Sequence, residues 1–355
     1  MGEIIVTANK RAENLQKVPI AISAFNAETL AKQGVKSVID LPQLTPGLGF
    51  TRTLVGTNAF LRGVRTTSAG CSTEVPIATY VDRLYLPNSA ASSFSFNNIE
   101  RIEVLKGPQG TLYRRNTTGG LINVITKEPG SIVAVDASAS YVNYNTAQLN
   151  FYGPVPLSDT VAANFAALYI DQADGWGKNV FTGLDAFKIR DLGFQGKIRW
   201  QAGPDTKFTL RGFYDRLETD QGNAVTVYPG SVDLGGAVFP GKYKINSRIT
   251  PFGRQRQYSV SLKAEQGLGF ATLTSTTGYI KNLSPSLQTQ SPILGQPVFG
   301  KVRINLGGRS VFHCAPHIQV AVNIGSMLVS KSRHGRPFRA IADFTASNIR
   351  SAERI

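Results

Sequence analysis

The feature that most constrains this chain is a two-residue alternation of apolar and polar side chains that begins after residue 130. Alternation with this period is typical of β-strands that have one apolar and one polar face. The clearest stretch alternates Tyr258, Val260, Leu262 and Ala264 with Ser259, Ser261, Lys263 and Glu265. We therefore predict a run of long antiparallel strands in this part of the chain.

Strands of about ten residues, joined alternately by short and long connections, are typical of transmembrane β-barrels. A soluble antiparallel sandwich alternates in the same way, so both architectures stay open on periodicity alone. Aromatic residues near the strand ends favour the barrel, because aromatic girdles lie at membrane interfaces. These residues are Tyr141, Tyr144, Tyr152, Tyr169, Trp176, Trp200, Tyr214 and Tyr279.

The first 130 residues have a different texture, with short helices between short strands. Asn26 is placed to cap a helix that starts at Ala27 and stops at Gly34, and a second short helix is predicted after Ser37. Turn residues separate the predicted strands, which are 20–25, 59–64, 77–85, 99–105 and 121–126. We therefore predict an α+β domain ahead of the long strands.

The charge and motif content excludes several functions. The net charge is +15, which can indicate nucleic-acid binding, but nine Lys or Arg against two acidic residues fall in 301–355 and the other cations are scattered. We predict no nucleic-acid partner. His313, Cys314 and His317 are too few ligands in too irregular a context for a metal site. Phosphate-binding, nucleophile-elbow and metalloprotease motifs are absent from the sequence, so we expect neither an enzyme nor a cofactor.

Four segments between residues 59 and 128 are highly distinctive: Phe60-Leu-Arg-Gly-Val64, Tyr80-Val-Asp82, 99–113 and 116–127. In this order they resemble the plug domain of TonB-dependent outer-membrane receptors, in the group with a GPQGTLYGRN-type segment. The resemblance covers about residues 3–282. It implies a plug inside a 22-stranded barrel, energised from the inner membrane through TonB and importing a scarce nutrient such as a ferric siderophore.

The same resemblance singles out individual residues. The first group is an N-terminal segment that is similar to the family's TonB box. If this segment is unpaired, a strand of the partner protein could pair with it. The alternative is that the segment is simply the first strand of the plug. These residues are Glu3, Ile4, Ile5, Val6, Thr7 and Ala8. The second group is the plug motif, made of Arg62, Gly63, Asp82, Arg101, Glu103, Lys106, Gly107, Pro108, Gly110, Arg115, Gly119 and Gly120.

Further expectations concern the charge partners of the plug cations and two positions that differ from the family pattern. In the family, plug cations meet barrel carboxylates, and Arg62 and Lys106 resemble such cations; ordinary surface or intra-plug pairing is the alternative.

Arg83 and Arg114 stand where the family has glycine. A positive φ at either position would strain an arginine by about 1–2 kcal/mol.

We predict three parts: a plug over 1–130, the N-terminal part of a barrel over 131–283 and a divergent basic tail over 284–355. The 225 residues after 130 are too few for 22 strands and their loops, so we expect seven to ten strands, an incomplete barrel and a truncated receptor. The alternation fades from Ser284, which suggests a frameshifted, poorly ordered tail.

The expected location is the outer membrane of a Gram-negative bacterium, in contact with lipid. The N-terminus has no secretory signal, so either the protein stays in the cytoplasm or Met1 is not the start of the natural precursor. We expect a TonB-dependent receptor fragment that takes up a ferric siderophore. The alternatives are a soluble β-rich binding module with a plug-like domain and a receptor remnant without function.

Overall fold

The structure is a computed structural model of the chain. It describes residues 5–7, 13–35, 37–52, 57–66, 75–86, 98–113, 116–220, 230–232, 238, 241, 243–245, 252–283, 286–287 and 319–324. An N-terminal domain of short elements extends to residue 126, and long antiparallel strands follow from residue 136.

The N-terminal domain contains nine strands and four short helices among the described residues. The strands are β1 (Ile5–Val6), β2 (Glu13–Asn14), β3 (Ile22–Asn26), β4 (Leu48–Arg52), β5 (Thr57–Leu61), β6 (Ile77–Val81), β7 (Leu84–Leu86), β8 (Ile99–Lys106) and β9 (Gly120–Thr126). The helices are α1 (Ala27–Lys32), α2 (Gly110–Tyr113) and two 3-10 helices, Leu15–Lys17 and Val38–Gln43. Among the residues that the structure describes, no helix is long and apolar enough to cross a membrane.

Five strands of the domain form a mixed sheet in the order β3-β8-β9-β6-β7, in which only β6 and β9 run parallel. Every residue of β6 is buried, because side chains pack on both faces of this sheet. The strands β4 and β5 pair separately as a hairpin. The predicted α+β domain is confirmed.

Local capping chemistry also agrees with the sequence. Asn26 accepts a hydrogen bond from the backbone of Thr29 at 2.9 Å, and it caps α1 as predicted. Gly34 follows the helix with φ +67, a backbone conformation that glycine adopts without strain. The single strand predicted over 77–85 is wrong, because a turn at Asp82 and Arg83 divides it into β6 and β7.

A second, larger sheet contains nine strands of the described residues. Its strands are β10 (Asp136–Val142), β11 (Thr146–Pro156), β12 (Val161–Gln172), β15 (Ile189–Gln201), β16 (Thr206–Thr219), β18 (Phe252–Gly267), β19 (Thr272–Leu283), β20 (Ser286–Leu287) and β21 (Gln319–Ile324). The short strands β13 (Gly177–Asn179), β14 (Asp185–Ala186) and β17 (Lys244–Ile245) form a separate sheet in the connections.

All pairs in the large sheet are antiparallel, and neighbouring long strands follow one another in space in the order of the chain. Short turns over 157–160, 202–205 and 268–271 join the strands at one end. At the other end the connections 173–188 and 220–251 are long, whereas 143–145, between β10 and β11, is short. The predicted antiparallel sheet is confirmed, and short and long connections alternate from β11 to β19.

The N-terminal domain packs against one face of the large sheet. A single apolar cluster contains Leu84 and Ile102 of the domain together with Leu168, Phe213 and Ile280 of the large sheet. A Cβ atom on Gly278 of β19 would lie 2.4 Å from Leu84 Cδ1, so glycine is what allows this close approach. The face that meets the domain is otherwise polar and buried, with Gln195, Lys197, Thr209, Arg211, Gln255, Gln257, Ser259, Ser261, Thr274 and Thr276.

The tail contributes strands where the sequence analysis expected the strand pattern to end. Gln319–Ile324 pairs with β19 and Ser286–Leu287 pairs with β18. The alternating valines at 320 and 322 favour an extended backbone, and the open side of β19 offers hydrogen-bonding groups to it. The other residues after 283 lie outside the described residues, and so do His313, Cys314 and His317.

Candidate functional site

Asp82, in the turn between β6 and β7, contacts two cations of the large sheet. Lys197 Nζ lies 3.3 Å from Asp82 Oδ1, and Arg211 Nε lies 3.2 Å from Oδ2. Lys197 and Arg211 are directly opposite each other on β15 and β16. Their side chains are only 1% and 3% exposed, so both cations need a counter-ion within the protein.

Thr126, the last residue of β9, connects the carboxylate to further groups of the sheet. Its backbone N–H donates to Asp82 Oδ1 at 2.9 Å, and its hydroxyl donates to Oδ2 at 2.7 Å. The same hydroxyl accepts from Gln195 Nε2 at 2.9 Å, and Gln195 Oε1 accepts from Arg211 at 3.1 Å. The carbonyl of Thr126 accepts from Lys197 Nζ at 2.9 Å. We call Asp82, Thr126, Gln195, Lys197 and Arg211 the latch.

The segment that leaves the N-terminal domain extends these contacts. Lys197 Nζ also lies 3.3 Å from Glu128 Oε1. Asn164 of β12 donates its side-chain N–H to the carbonyl of Lys127 at 2.9 Å and accepts from the backbone of Lys197 at 3.1 Å. The chain is thus tied to the polar face of the sheet at three consecutive residues, Thr126, Lys127 and Glu128.

The surroundings of Asp82 set its ionisation. Burial raises the pKa of the Asp82 carboxyl, but Lys197, Arg211 and the two hydrogen bonds from Thr126 outweigh burial, so that its pKa lies below the ordinary aspartate value. Asp82 is therefore ionised at neutral pH, as the two buried cations require.

The polarity of these ion pairs is the reverse of the one expected from the sequence. Arg62 is exposed and Lys106 is half-buried, and neither forms an ion pair with a described carboxylate. The carboxylate is supplied by the N-terminal domain and the cations by the sheet. The sequence analysis assigned no role to Lys197, because only the strand register brings it opposite Arg211.

A second buried carboxylate, Glu103 on β8, holds the N-terminal segment. The backbone N–H of Thr7 donates to Glu103 Oε1 at 2.8 Å, and the Thr7 hydroxyl lies 3.1 Å from both carboxylate oxygens. Arg101 Nε and Asn123 Nδ2 donate to Glu103 at 3.0 Å each. The Tyr113 hydroxyl donates to the carbonyl of Thr7 at 3.1 Å.

The structure decides between the two expectations for residues 3–8, an unpaired segment or a first strand, wherever this segment is described. Ile5 and Val6 are paired with Asn14 and Glu13, and the Val6 side chain is fully buried. The described part of the segment is therefore paired as a first strand rather than unpaired. Glu3, Ile4 and Ala8 lie outside the described residues.

Two of the motif glycines stand where a side chain would not fit. Gly120 has φ +143, and a Cβ there would lie 2.4 Å from the carbonyl oxygen of Leu105. A Cβ on Gly119 would lie 2.6 Å from Ile77 Cδ1. Gly63, Gly107 and Gly110 face open space, and Pro108 lies between β8 and α2.

The two departures from the family pattern differ in outcome. Arg83 has φ +71, so the expected positive φ at this glycine position is present in the structure. Its neighbour Asp82 also has a positive φ, of +48. The backbone is therefore strained at the residue whose carboxylate contacts Lys197 and Arg211. Arg114 and Arg115 lie outside the described residues.

The face of the large sheet that points away from the N-terminal domain is apolar and exposed. A row of aromatic rings crosses five strands on this face, with centroids 5.1–6.3 Å apart: Phe151, Phe165, Phe194, Tyr214 and Tyr258. Phe165 and Tyr258 are 45% and 40% exposed.

In the described part of the chain, no three histidine, cysteine or acidic side chains gather as a metal site.

Comparison with known proteins identifies the N-terminal domain. Residues 14–121 match the family described as TonB-dependent Receptor Plug Domain. The pesticin receptor of Yersinia pestis is 27% identical over 220 residues, which are 59% of this chain and 31% of the receptor. The vitamin B12 transporter BtuB of Vibrio vulnificus is 30% identical over 148 residues, which are 38% of this chain and 23% of the transporter.

Solved structures show the same fold. The ferric yersiniabactin uptake receptor FyuA from Yersinia pestis superposes with a TM-score of 0.66 at 20% identity, covering 76% of this chain and 42% of FyuA. The ferric-catecholate import receptor Fiu from Escherichia coli K12, in its open form, gives 0.60 at 19% identity, covering 78% of this chain and 40% of Fiu. The chain spans about a third or less of the length of the curated relatives named above. Residues 14–121 are therefore a TonB-dependent receptor plug domain, and the chain is a relative of the TonB-dependent receptors.

Proposed function

We propose that this chain is the plug and barrel-strand part of an outer-membrane receptor that takes up a ferric siderophore with energy transmitted by TonB. The observation that carries this proposal is the two-sided character of the large sheet. Its polar face holds the plug through the latch, while its opposite face presents exposed apolar and aromatic side chains. A protein with this arrangement needs water on one side of the sheet and an apolar surrounding on the other.

The height of the apolar face supports a membrane setting. On β15 the outward positions from Arg190 to Trp200 span ten residues, and on β18 those from Arg256 to Gln266 span the same number. Ten residues extend about 34 Å along a strand, which is about 26 Å of height at a tilt of about 40°. The apolar band of outer-membrane barrels is about 25 Å tall. No outward position between these limits on β15 or β18 carries a charge.

The same face argues against the soluble binding module. Its exposed side chains include Phe194, Ile198, Trp200, Val260 and Leu262, all at least 37% exposed. Such a continuous patch is rare on a soluble monomer and marks a surface that contacts lipid or another protein.

The proposed ligand class comes from the relatives. FyuA is named as a receptor for ferric yersiniabactin and Fiu as one for ferric catecholates, which supports a ferric siderophore here. BtuB is named as a vitamin B12 transporter, so cyanocobalamin is the competing ligand that a test must include. We further propose that residues 3–8 dock to TonB after the pairing of Ile5 and Val6 with β2 is released, and that the plug-motif residues form the part of the plug that rearranges.

The function is tested by uptake in the bacterium that makes the protein. The gene is deleted, and uptake of ⁵⁵Fe from catecholate and hydroxamate siderophores and of labelled cyanocobalamin is compared with the parent strain. We expect loss of uptake of one ferric siderophore, restored by the gene and abolished again when TonB is removed. Unchanged uptake of every siderophore, or loss of cyanocobalamin uptake alone, would contradict the proposal.

A further inference from the structure

Two acidic side chains of the large sheet, Asp191 of β15 and Asp215 of β16, contact each other. Both project from the face that carries Lys197 and Arg211, because these residues occupy alternate positions of their strands. Asp215 is directly opposite Gly193, which makes it the diagonal neighbour of Asp191. The two carboxyl groups lie within hydrogen-bond distance of each other. We call Asp191 and Asp215 the acid pair.

The side chains next to the acid pair on this face of the sheet are uncharged. They are Ile170 of β12, Phe213 and Leu217 of β16, and Gln255 and Gln257 of β18. Gln257 is directly opposite Asp215, and Leu217 is directly opposite Asp191. The immediate surroundings on the sheet therefore supply no charge that balances the pair.

The nearest cations of the sheet are engaged elsewhere. Lys197 lies six residues from Asp191 along β15, which is about 20 Å, and Arg211 lies four residues from Asp215 along β16, which is about 14 Å. Both contact Asp82. The arginines at 190 and 216 project from the opposite face, where each contacts another carboxylate. In the described part of the chain, no cation forms an ion pair with the acid pair.

Two carboxyl groups in contact and without a cation cannot both be ionised at little cost. The Asp191 side chain is 7% exposed, so water screens its charge poorly. Its Oδ1 atom is buried and accepts no hydrogen bond from a described residue. A proton held between Asp191 and Asp215 removes one of the two charges and supplies the donor that the pair lacks.

The acid pair lies close to the point where the connections at the long-loop end join β15 and β16. Three residues before Asp191, the Lys188 N–H donates to the Asp220 carboxylate, and the Asp220 N–H donates to the Lys188 carbonyl at 3.3 Å. The preceding residue, Phe187, stacks on Trp176 with ring centroids 3.8 Å apart. We call β13, β14 and β17, together with these two rings, the loop sheet. A movement that separates β15 from β16 at the acid pair therefore reaches the loop sheet.

We propose that Asp191 and Asp215 share one proton, and that this proton is a pH-sensitive clasp that keeps the loop sheet seated on β15 and β16. When the pH rises and the proton leaves, two adjacent carboxylates repel each other and the stacking of Trp176 on Phe187 loosens. Long connections face the cell exterior in outer-membrane barrels, so in the proposed membrane setting the clasp responds to the pH of the medium. The clasp itself does not depend on which ligand the protein carries.

Infrared spectroscopy of the purified full chain in detergent detects the proton directly. A protonated carboxyl group has a carbonyl band that an ionised one lacks, and we expect this band to disappear between about pH 6 and pH 9. In Asp215→Asn the amide donates to the Asp191 carboxylate without titrating, so the band should be absent at both pH values. The controls are Asp220→Asn at the base of the loop sheet and Asp159→Asn in an exposed turn, and both should keep the band.

The movement of the loop sheet is followed by the fluorescence of Trp176. The chain has two tryptophans, so Trp200→Phe leaves Trp176 as the single reporter. We expect quenching by acrylamide to increase from pH 6 to pH 9 in this background, and to stay at the lower level when Asp215→Asn is added. The variant with Asp220→Asn instead should keep the increase.

Chemical unfolding at several pH values gives the sign of the effect on stability. The folded chain holds a proton that the unfolded chain releases at the ordinary aspartate pKa of about 3.9, so stability falls as the pH rises from there to the titration of the pair. Over that range the unfolding equilibrium constant of the wild type, relative to that of Asp215→Asn, should rise by up to about tenfold per pH unit and then level off.

Four results would overturn the inference. They are an infrared band that persists in Asp215→Asn, a band that disappears in Asp220→Asn, quenching of Trp176 that does not change with pH, and equal pH dependence of stability in the wild type and Asp215→Asn. Asp191→Asn is the second variant and carries the same expectations. Failure of both amide variants to fold would also contradict the clasp, because an amide keeps the hydrogen bond and carries no charge. All readouts use micelles, so the uptake experiment decides the proposed function separately.

Discussion

Lys197 Nζ of the large sheet lies 3.3 Å from Asp82 Oδ1 of the plug, and both side chains are shielded from water. This contact joins a turn of the N-terminal domain to the polar face of a strand far along the chain. Arg211, opposite Lys197 on the next strand, approaches the second carboxylate oxygen at 3.2 Å. One ionised carboxylate of the plug therefore contacts both buried cations of the sheet.

The first prediction concerns Asp82→Asn. The amide leaves Arg211 as a buried charge without a counter-ion and leaves Lys197 with only the partly exposed Glu128, so we expect the free energy of unfolding to fall by about 3–5 kcal/mol. Chemical unfolding in detergent, followed by circular dichroism and tryptophan fluorescence, measures the change. The matched control is Asp159→Asn in the exposed turn between β11 and β12, which we expect to change stability by less than about 0.5 kcal/mol. Equal stability of the two variants would contradict the role given to Asp82.

The second prediction is a pH dependence of the same contact. Because the folded-state pKa of Asp82 lies below its ordinary value, its contribution to stability is fully present above the unfolded pKa of about 3.9 and is lost as the pH falls from there towards the folded value. We expect the difference in stability between the wild type and Asp82→Asn to be constant from pH 5 to 7 and to shrink below about pH 4. A difference that shrinks instead as the pH rises through neutrality would refute this assignment.

The third prediction concerns the contact between Glu103 and Thr7. Glu103→Ala removes the acceptor for the Thr7 amide and hydroxyl, so we expect the segment around Ile5–Val6 to separate from the plug more often. A charged hydrogen bond of this kind contributes about 1.5–3 kcal/mol, which corresponds to at least a tenfold faster amide hydrogen exchange at Thr7. Mass spectrometry of the N-terminal peptide gives the rate. Glu28→Ala, which breaks only the exposed pair with Lys32, serves as the control and should leave the rate unchanged.

The fourth prediction separates two glycines of the plug motif. Gly120→Ala would place a methyl group 2.4 Å from the Leu105 carbonyl at φ +143, and we expect a loss of more than about 2 kcal/mol or failure to fold. Gly110→Ala adds a methyl group in open space within α2, and we expect stability to stay equal or to rise by about 0.5–1 kcal/mol. Thermal unfolding of the two variants side by side provides the comparison. A similar loss at both positions would show that the motif glycines are not distinguished by backbone geometry.

The sequence predicted those parts of the fold that depend on local pattern. The alternation of apolar and polar residues placed the long strands, and Asn26 placed the start of α1, because both signals act between near neighbours in the chain. The division of the strand over 77–85 was not predicted, since its apolar run continues through the turn at Asp82 and Arg83.

The charge pairing across the interface could not be predicted in the same way. Which cation meets Asp82 depends on the register of β15 and β16 and on how the plug sits against them. Neither is encoded within a short window of sequence. The resemblance to the family suggested Arg62 and Lys106, whereas the structure pairs Asp82 with Lys197 and Arg211.

The central claim is that one face of the large sheet contacts lipid while the other holds the plug. Spin labels test it on neighbouring residues, Val260→Cys on the exposed face and Ser259→Cys on the buried face, with Cys71 and Cys314 replaced by serine. In reconstituted bilayers, electron paramagnetic resonance should show strong collision with oxygen and weak collision with a water-soluble nickel complex at position 260, and weak collision with both at position 259. Strong collision with the nickel complex at position 260 would show that this face lies in water and would contradict the account.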